Sequence, residues 1–134
     1  DRTERGMSVL IEALISSGAA MGITGSSRPA SGSEHKFAHA LDIVANYPSL
    51  HGIECGIGTI IMSYLQGQDF RIIKRALERV GAPTTCYEIG VDPETMVKAL
   101  LMAKKIRPER YTIIEHINLT ENLARKALEI TGVI

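Results

Sequence analysis

Apolar residues recur along most of this chain at three- and four-residue spacing, the period of a helix with one buried face. Val9, Leu10, Ala13, Leu14 and Ser17 form the first such stripe. The small residues from Gly18 to Gly25 follow it, and their breaker-rich character predicts an end to that helix. Ser26 to Gly32 reads as a loop carrying Pro29 and Gly32. Ser33 predicts the N-cap of a helix over about 34–46, and the NYPS break at 46–49 separates it from a second helix over about 50–66, ended by Gly67. Phe70, Ile73, Ala76, Leu77 and Val80 then share one face, while Arg71, Lys74, Arg75, Glu78 and Arg79 mostly face away from it. Gly81-Ala82-Pro83 stops that helix. Asp92-Pro93-Glu94 combines a capping oxygen, proline at the first helical position and an early acid, so a helix starts there and closes before Pro108. Thr120-Glu121 opens a last helix, with Gly132 just past its end. TTCYEI and RYTII read as short extended pieces, too short to build a sheet. The fold class predicted is all-α, one domain over 1–134.

Composition narrows the function. The chain has 134 residues and is 45% hydrophobic, enough for a packed core and too apolar for wholesale disorder. Acids and bases balance at 15 each, which leaves no basic footprint for nucleic acid and no polybasic patch for a membrane surface. Cys55 and Cys86 have no paired spacing, so the pattern points to a reducing, cytoplasmic setting. The nearest approach to a spanning run, GIGTIIMSYL, is too short to cross a bilayer, and no membrane insertion is expected. The chain starts without Met, inside a predicted helix, and is expected to be a piece of a longer protein.

Three of the four histidines lie between positions 35 and 51. His35 and His39, four apart, fall on one helix face, and the short break before His51 allows an antiparallel helix to return it beside His35. Neutral imidazole is the commonest protein ligand for zinc-like metals. Ordinary helix histidines, exposed or hydrogen-bonded in a core, are the competing reading. Lys36 occupies the position where a zinc protease helix carries glutamate, so that activity is excluded. Asp42, three residues after His39, is placed to orient a ligand from behind. Glu34 is expected to point elsewhere on the helix, and Cys55, on the His51 face, reads as a packing cysteine rather than a soft ligand.

SGAAMGITGSSRPASGSEHKFAHALD, followed by LHGIECGIGT and later YTIIEHINLT, resembles the archaeal sn-glycerol-1-phosphate dehydrogenases. These belong to the superfamily of iron-containing alcohol dehydrogenases, glycerol dehydrogenase and 3-dehydroquinate synthase. The resemblance covers essentially the whole chain and implies the helical C-terminal domain of a dehydroquinate synthase-like two-domain fold. It implies that His35 and His51 bind a divalent metal, most simply zinc, with nickel or iron as alternatives. It implies that His39 contacts substrate. The third ligand of the superfamily is an aspartate from an earlier helix. Asp1, Glu4, Glu12 and Glu34 do not match it. No glycine-rich phosphate fingerprint is present either, so the N-terminal nucleotide-binding domain that holds NAD(P)H is expected to lie outside this chain.

The implied reaction is reduction of dihydroxyacetone phosphate, a phosphorylated triose, to sn-glycerol 1-phosphate for ether phospholipid backbones. Hydride delivery to the carbonyl carbon builds charge on its oxygen, which a Lewis acid stabilises. His39 is placed to touch substrate hydroxyls or pass a proton. Arg28, in the loop before the metal helix, is the first candidate for the substrate phosphate; Lys36 is a weaker one, and His116 could approach the site. A homo-oligomer is implied, and the isolated chain is expected to be inactive. The competing functions are a glycerol dehydrogenase-like polyol oxidoreductase and a non-catalytic helical assembly module.

Overall fold

A computed structural model describes residues 3–134, so Asp1, one of the upstream acids weighed above, lies outside the described residues. The chain divides into two compact units, Asp1–Gly32 and Ser33–Ile134. The first is one long helix, α1 (Glu4–Thr24), followed by a 3-10 turn over Arg28–Ala30. Thr3 caps its start by accepting from the Gly6 N–H at 3.1 Å. The glycines expected to break this helix do not. Gly18 and Gly22 are helical, and the stop comes at Gly25, whose φ of 60° is the left-handed cap that only glycine adopts without penalty.

The helix also corrects the expectation about bilayer-spanning length. Glu4–Thr24 is long and apolar enough, by length and composition, to cross a membrane. Glu12 and the serines interrupt its strictly apolar run without spoiling its average, which is why run length missed it. None of its residues is buried.

The second unit is built from α2 (Ser33–Ala45), α3 (His51–Leu65), α4 (Phe70–Val80), α5 (Pro93–Met102), α6 (Ile113–His116) and α7 (Glu121–Thr131). No strand occurs among the described residues. The core is built from Phe37, Ala40 and Leu41 of α2; Ile57, Ile60 and Ile61 of α3; Met96, Val97 and Leu100 of α5; and Ala124, Ala127 and Leu128 of α7, whereas the stripe predicted over Val9–Ser17 is not buried. Packing joins α2 to α3 and α5, α3 to α4 and α7, and α5 to α7. Strongly patterned α4 lies at the rim. Phe70 alone is buried, and Val80, predicted to face the core, is 70% exposed. Lys74 ties α4 to the end of α7 by donating to the Thr131 and Gly132 carbonyls at 2.9 and 2.7 Å.

Neither predicted extended piece forms. Tyr87–Ile89 is a 3-10 turn, and RYTII runs into α6. There Thr112 and Glu115 form a reciprocal capping box, which nucleates a helical turn where β-branched residues suggested extension.

The α2–α3 hairpin positions everything that follows. Asn46 and Tyr47 both take φ of 56°, making a tight left-handed corner between the helices. Ser49 N–H and Oγ, each 3.3 Å from Glu54 Oε1, tie the corner to the first turn of α3. Asp42 stands near His51 and Glu34 near Gly58, so the two helices run antiparallel. A Cβ on Gly58 would meet the Glu34 carbonyl oxygen and Phe37 Cδ1 at 3.0 Å, so glycine sets how closely α3 approaches α2.

Candidate metal centre

The hairpin converges the three histidines that are spread along the sequence. The rings of His39 and His51 stack at 4.7 Å between centroids, and His35 meets His51 edge-on at 5.4 Å. The side chains of His35, His39 and His51 are 29%, 34% and 41% exposed, so the group sits at an open surface rather than in the core. Two sets of ligand atoms within 4.8 Å of one another occur: His35, His51 and Cys55, and His39, Asp42 and His51.

Carboxylates stand on the Nδ1 side of all three rings. Glu34 Oε1 lies 2.8 Å from His35 Nδ1. Asp42 Oδ2 lies 3.7 Å from His39 Nδ1 and 3.6 Å from His51 Nδ1. Glu54 Oε2 lies 3.9 Å from His51 Nδ1. Asp42 thus lies beside two rings, at ion-pair rather than hydrogen-bond distance. The expected divergence of Glu34 from His35 is overturned: neighbouring Cβ vectors splay on a helix, but a glutamate has enough rotatable bonds to curl back. Glu54 follows His51 by three residues in the sequence, and that i, i+3 spacing brings it to the ring.

The electrostatics follow from crowding. Burial pushes Glu54 up to about 7, and the neighbouring Asp42 carboxylate adds to it. Its Oε2 is buried without a hydrogen-bond partner. Burial first, then the positive character of His51 and Arg107, lowers His39 below the usual imidazole value. Burial, with Glu34, Glu54 and Asp42 nearby, pushes the Cys55 thiol up to about 11. Cys55 is half-buried, and its Sγ faces His51 Nε2 at 3.5 Å, within hydrogen-bond range for sulfur.

The donor set suits a divalent transition ion. Imidazoles backed by carboxylates on one nitrogen present the other to a metal, the arrangement that fixes ring orientation and raises ligand basicity.

Other candidates fall elsewhere. Lys36 is 2% exposed and spent: its Nζ donates to Glu115 Oε1 at 2.6 Å and to the Arg110 carbonyl at 3.1 Å, so it is no phosphate contact. His116 is not drawn into the histidine group; its Nδ1 lies 3.2 Å from the Tyr111 hydroxyl. Arg28 belongs to the first unit, where its N–H donates to Ser26 Oγ at 3.2 Å.

No family model matches the chain. Curated proteins do. It is 59% identical over 131 residues to the glycerol-1-phosphate dehydrogenase [NAD(P)+] of Pyrococcus abyssi, covering 98% of this chain and 38% of that protein. The protein of the same name from Pyrococcus furiosus is 58% identical over the same shares. That of Methanothermobacter thermautotrophicus is 53% identical. This chain matches the C-terminal part of the glycerol-1-phosphate dehydrogenases. It spans about 38% of the length of these curated relatives. The all-helical architecture agrees with the helical C-terminal domain that the motifs implied. The match to the dehydrogenases, at 98% of the chain, also takes in the apolar helix α1.

Proposed function

We propose that this chain is the metal- and substrate-binding helical domain of a glycerol-1-phosphate dehydrogenase. The whole protein would reduce dihydroxyacetone phosphate to sn-glycerol 1-phosphate with NADH or NADPH, in the cytoplasm, as a step toward ether phospholipid backbones. What carries the reading is the convergence of His35, His39 and His51, each with a carboxylate behind its Nδ1. A helical assembly module has no use for three converging histidines. The relatives' shared name favours the phosphorylated substrate over a free polyol.

His35 and His51 would hold the ion, zinc being the metal best suited to nitrogen donors of this kind. A cation bound there supplies Lewis acidity toward the substrate carbonyl oxygen, and the nicotinamide, held by a domain outside this chain, supplies the hydride. His39 has its Nδ1 turned to Asp42, leaving Nε2 to hydrogen-bond a substrate hydroxyl or hold the proton the reduced oxygen takes up. Glu34 would keep the His35 ring from rotating through its 2.8 Å contact with Nδ1, and Asp42 would supply negative charge beside the other two. Arg28 would pair with the substrate phosphate. The rest of the protein would bring the remaining metal ligand, and the whole protein would be a homo-oligomer.

Metal analysis of the full-length protein tests the assignment. His35→Ala and His51→Ala should each strip the preparation of bound zinc. Arg28→Ala should keep the metal and raise the KM for dihydroxyacetone phosphate about tenfold or more, the loss of a charge-assisted hydrogen bond. Undiminished metal in both histidine variants would sink the site, and an unchanged KM would remove Arg28 from it.

A further inference from the structure

We propose that Arg107, in a basic turn held against α2, grips the phosphate of the substrate whose carbonyl faces the histidine site. The inference rests on the function proposed above. It adds to Arg28 a second cation, one that lies in the same compact unit as His35, His39 and His51.

The turn concentrates charge on a chain whose acids and bases otherwise balance. Lys104, Lys105, Arg107 and Arg110 follow one another closely, with Glu109 as the only acid among them. Packing holds this stretch beside the site. The 3-10 turn Ala103–Lys105 packs against α2. The Ile106 N–H donates to the Ala103 carbonyl at 3.1 Å, and the Arg110 N–H to the Arg107 carbonyl at 2.9 Å. Lys36 then fastens the turn to α2 by donating to the Arg110 carbonyl at 3.1 Å. Lys36 comes one residue after His35 and three before His39, so the turn is pinned to the stretch of α2 that carries both histidines.

Within the turn, Arg107 is the residue placed for a ligand. Its side chain is exposed and makes no ion pair or hydrogen bond among the described residues. Its backbone takes φ of 46°, in the left-handed region, immediately before Pro108. A β-carbon disfavours that conformation, and a residue before proline belongs in extended backbone. Strain of this kind persists only where the surroundings fix it, and it collects at sites that hold ligands. Here the bonds through Arg110 and Lys36 do the fixing. The charge of Arg107 also reaches the site: after burial and His51, it is the next influence that holds His39 low.

Only a methylene and an oxygen separate the phosphorus of dihydroxyacetone phosphate from its carbonyl carbon. A substrate whose carbonyl lies at the histidines therefore needs its phosphate partner beside them. The guanidinium fork matches phosphate oxygens in pairs, which the lysine ammonium groups nearby cannot do. A free polyol offers that fork nothing, so Arg107 would select phosphorylated substrates.

Steady-state kinetics of the zinc-loaded full-length enzyme test the role through Arg107→Gln. The KM for dihydroxyacetone phosphate should rise about tenfold or more, the loss of a charge-assisted hydrogen bond. Zinc content, circular dichroism and the KM for the nicotinamide cofactor should stay at wild-type values. Competitive inhibition by inorganic phosphate should weaken in parallel, and Arg107→Lys should recover part of both losses. An unchanged KM for dihydroxyacetone phosphate, or KM values that rise alike for substrate and cofactor, overturns the role of Arg107 and leaves the histidine site standing. A zinc-loaded wild type that does not reduce dihydroxyacetone phosphate overturns the proposed function, and this role with it.

Discussion

Lys36 carries the clearest residue-scale lesson. Beside His35 in the motif, it was the weaker of two candidate phosphate contacts, and it is buried against Glu115 and the Arg110 carbonyl, both more than seventy positions away. A buried ammonium must be paired, and breaking such a pair from one side costs about 3–5 kcal/mol. Burial alone would raise Glu115. The Lys36 ammonium and the Thr112 hydrogen bonds outweigh it and hold the carboxyl below its ordinary value of 4.5. A depressed folded-state value stabilises the fold above the unfolded-state value and loses that contribution as pH falls through the folded one. Stability should therefore drop below about pH 4.5 in the wild type. Glu115→Gln keeps the capping box with Thr112 but removes the charge. It should lower the urea midpoint at neutral pH and flatten the acid limb of a midpoint-against-pH series. A variant that retains the full acid dependence would take Glu115 out of this account. Lys36 was unreadable from its neighbours because its partner comes from a separate element. Asp42 was readable because its partners lie on its own helix and the next.

At the scale of elements, the α2–α3 hairpin is the unit on which the site depends. Its ingredients are local: a left-handed corner at Asn46 and Tyr47, and a glutamate that ties the corner down. The contact between the helices is set by Gly58, which the HGIECGIGT motif contains without explaining. Gly58→Ala would press a methyl group against the Glu34 carbonyl and Phe37. Overpacking of that kind costs about 1–3 kcal/mol. The expected result is a lower urea midpoint with α3 displaced from α2. Because His35 and His51 sit on opposite sides of that contact, metal affinity measured by chelator competition should fall as well. Unchanged stability and affinity would show that the helices have slack there. The boundaries of α2 and α3 and the start of α5 followed from hydrophobic period and caps within a residue or so, since those signals act inside one turn, whereas α5 ends at Met102, well before Pro108, in a 3-10 turn over Ala103–Lys105. The burial of α4 did not. An amphipathic stripe says which face turns inward and nothing about how much lies above it.

For the whole molecule, stability should be uneven. The second unit holds the buried core, whereas no residue of α1 is buried. A helix of this length is marginal in water without packing. In hydrogen exchange on this 134-residue chain, α1 amides should lose protection first, and those of α2, α3 and α5 should exchange last, near global unfolding. Equal protection across both would contradict the division into units. By itself, the sequence determined the helical class, most helix starts and the i, i+4 pairing of His35 with His39, because all of these are written at spacings of one to four residues. The tertiary structure alone decided which carboxylate lies beside which ring, that Lys36 is spent inside and that α4 stays at the rim. Those outcomes depend on how close two helices come and at what angle, and that is set by the summed packing of the core, here limited by Gly58, rather than by any local pattern.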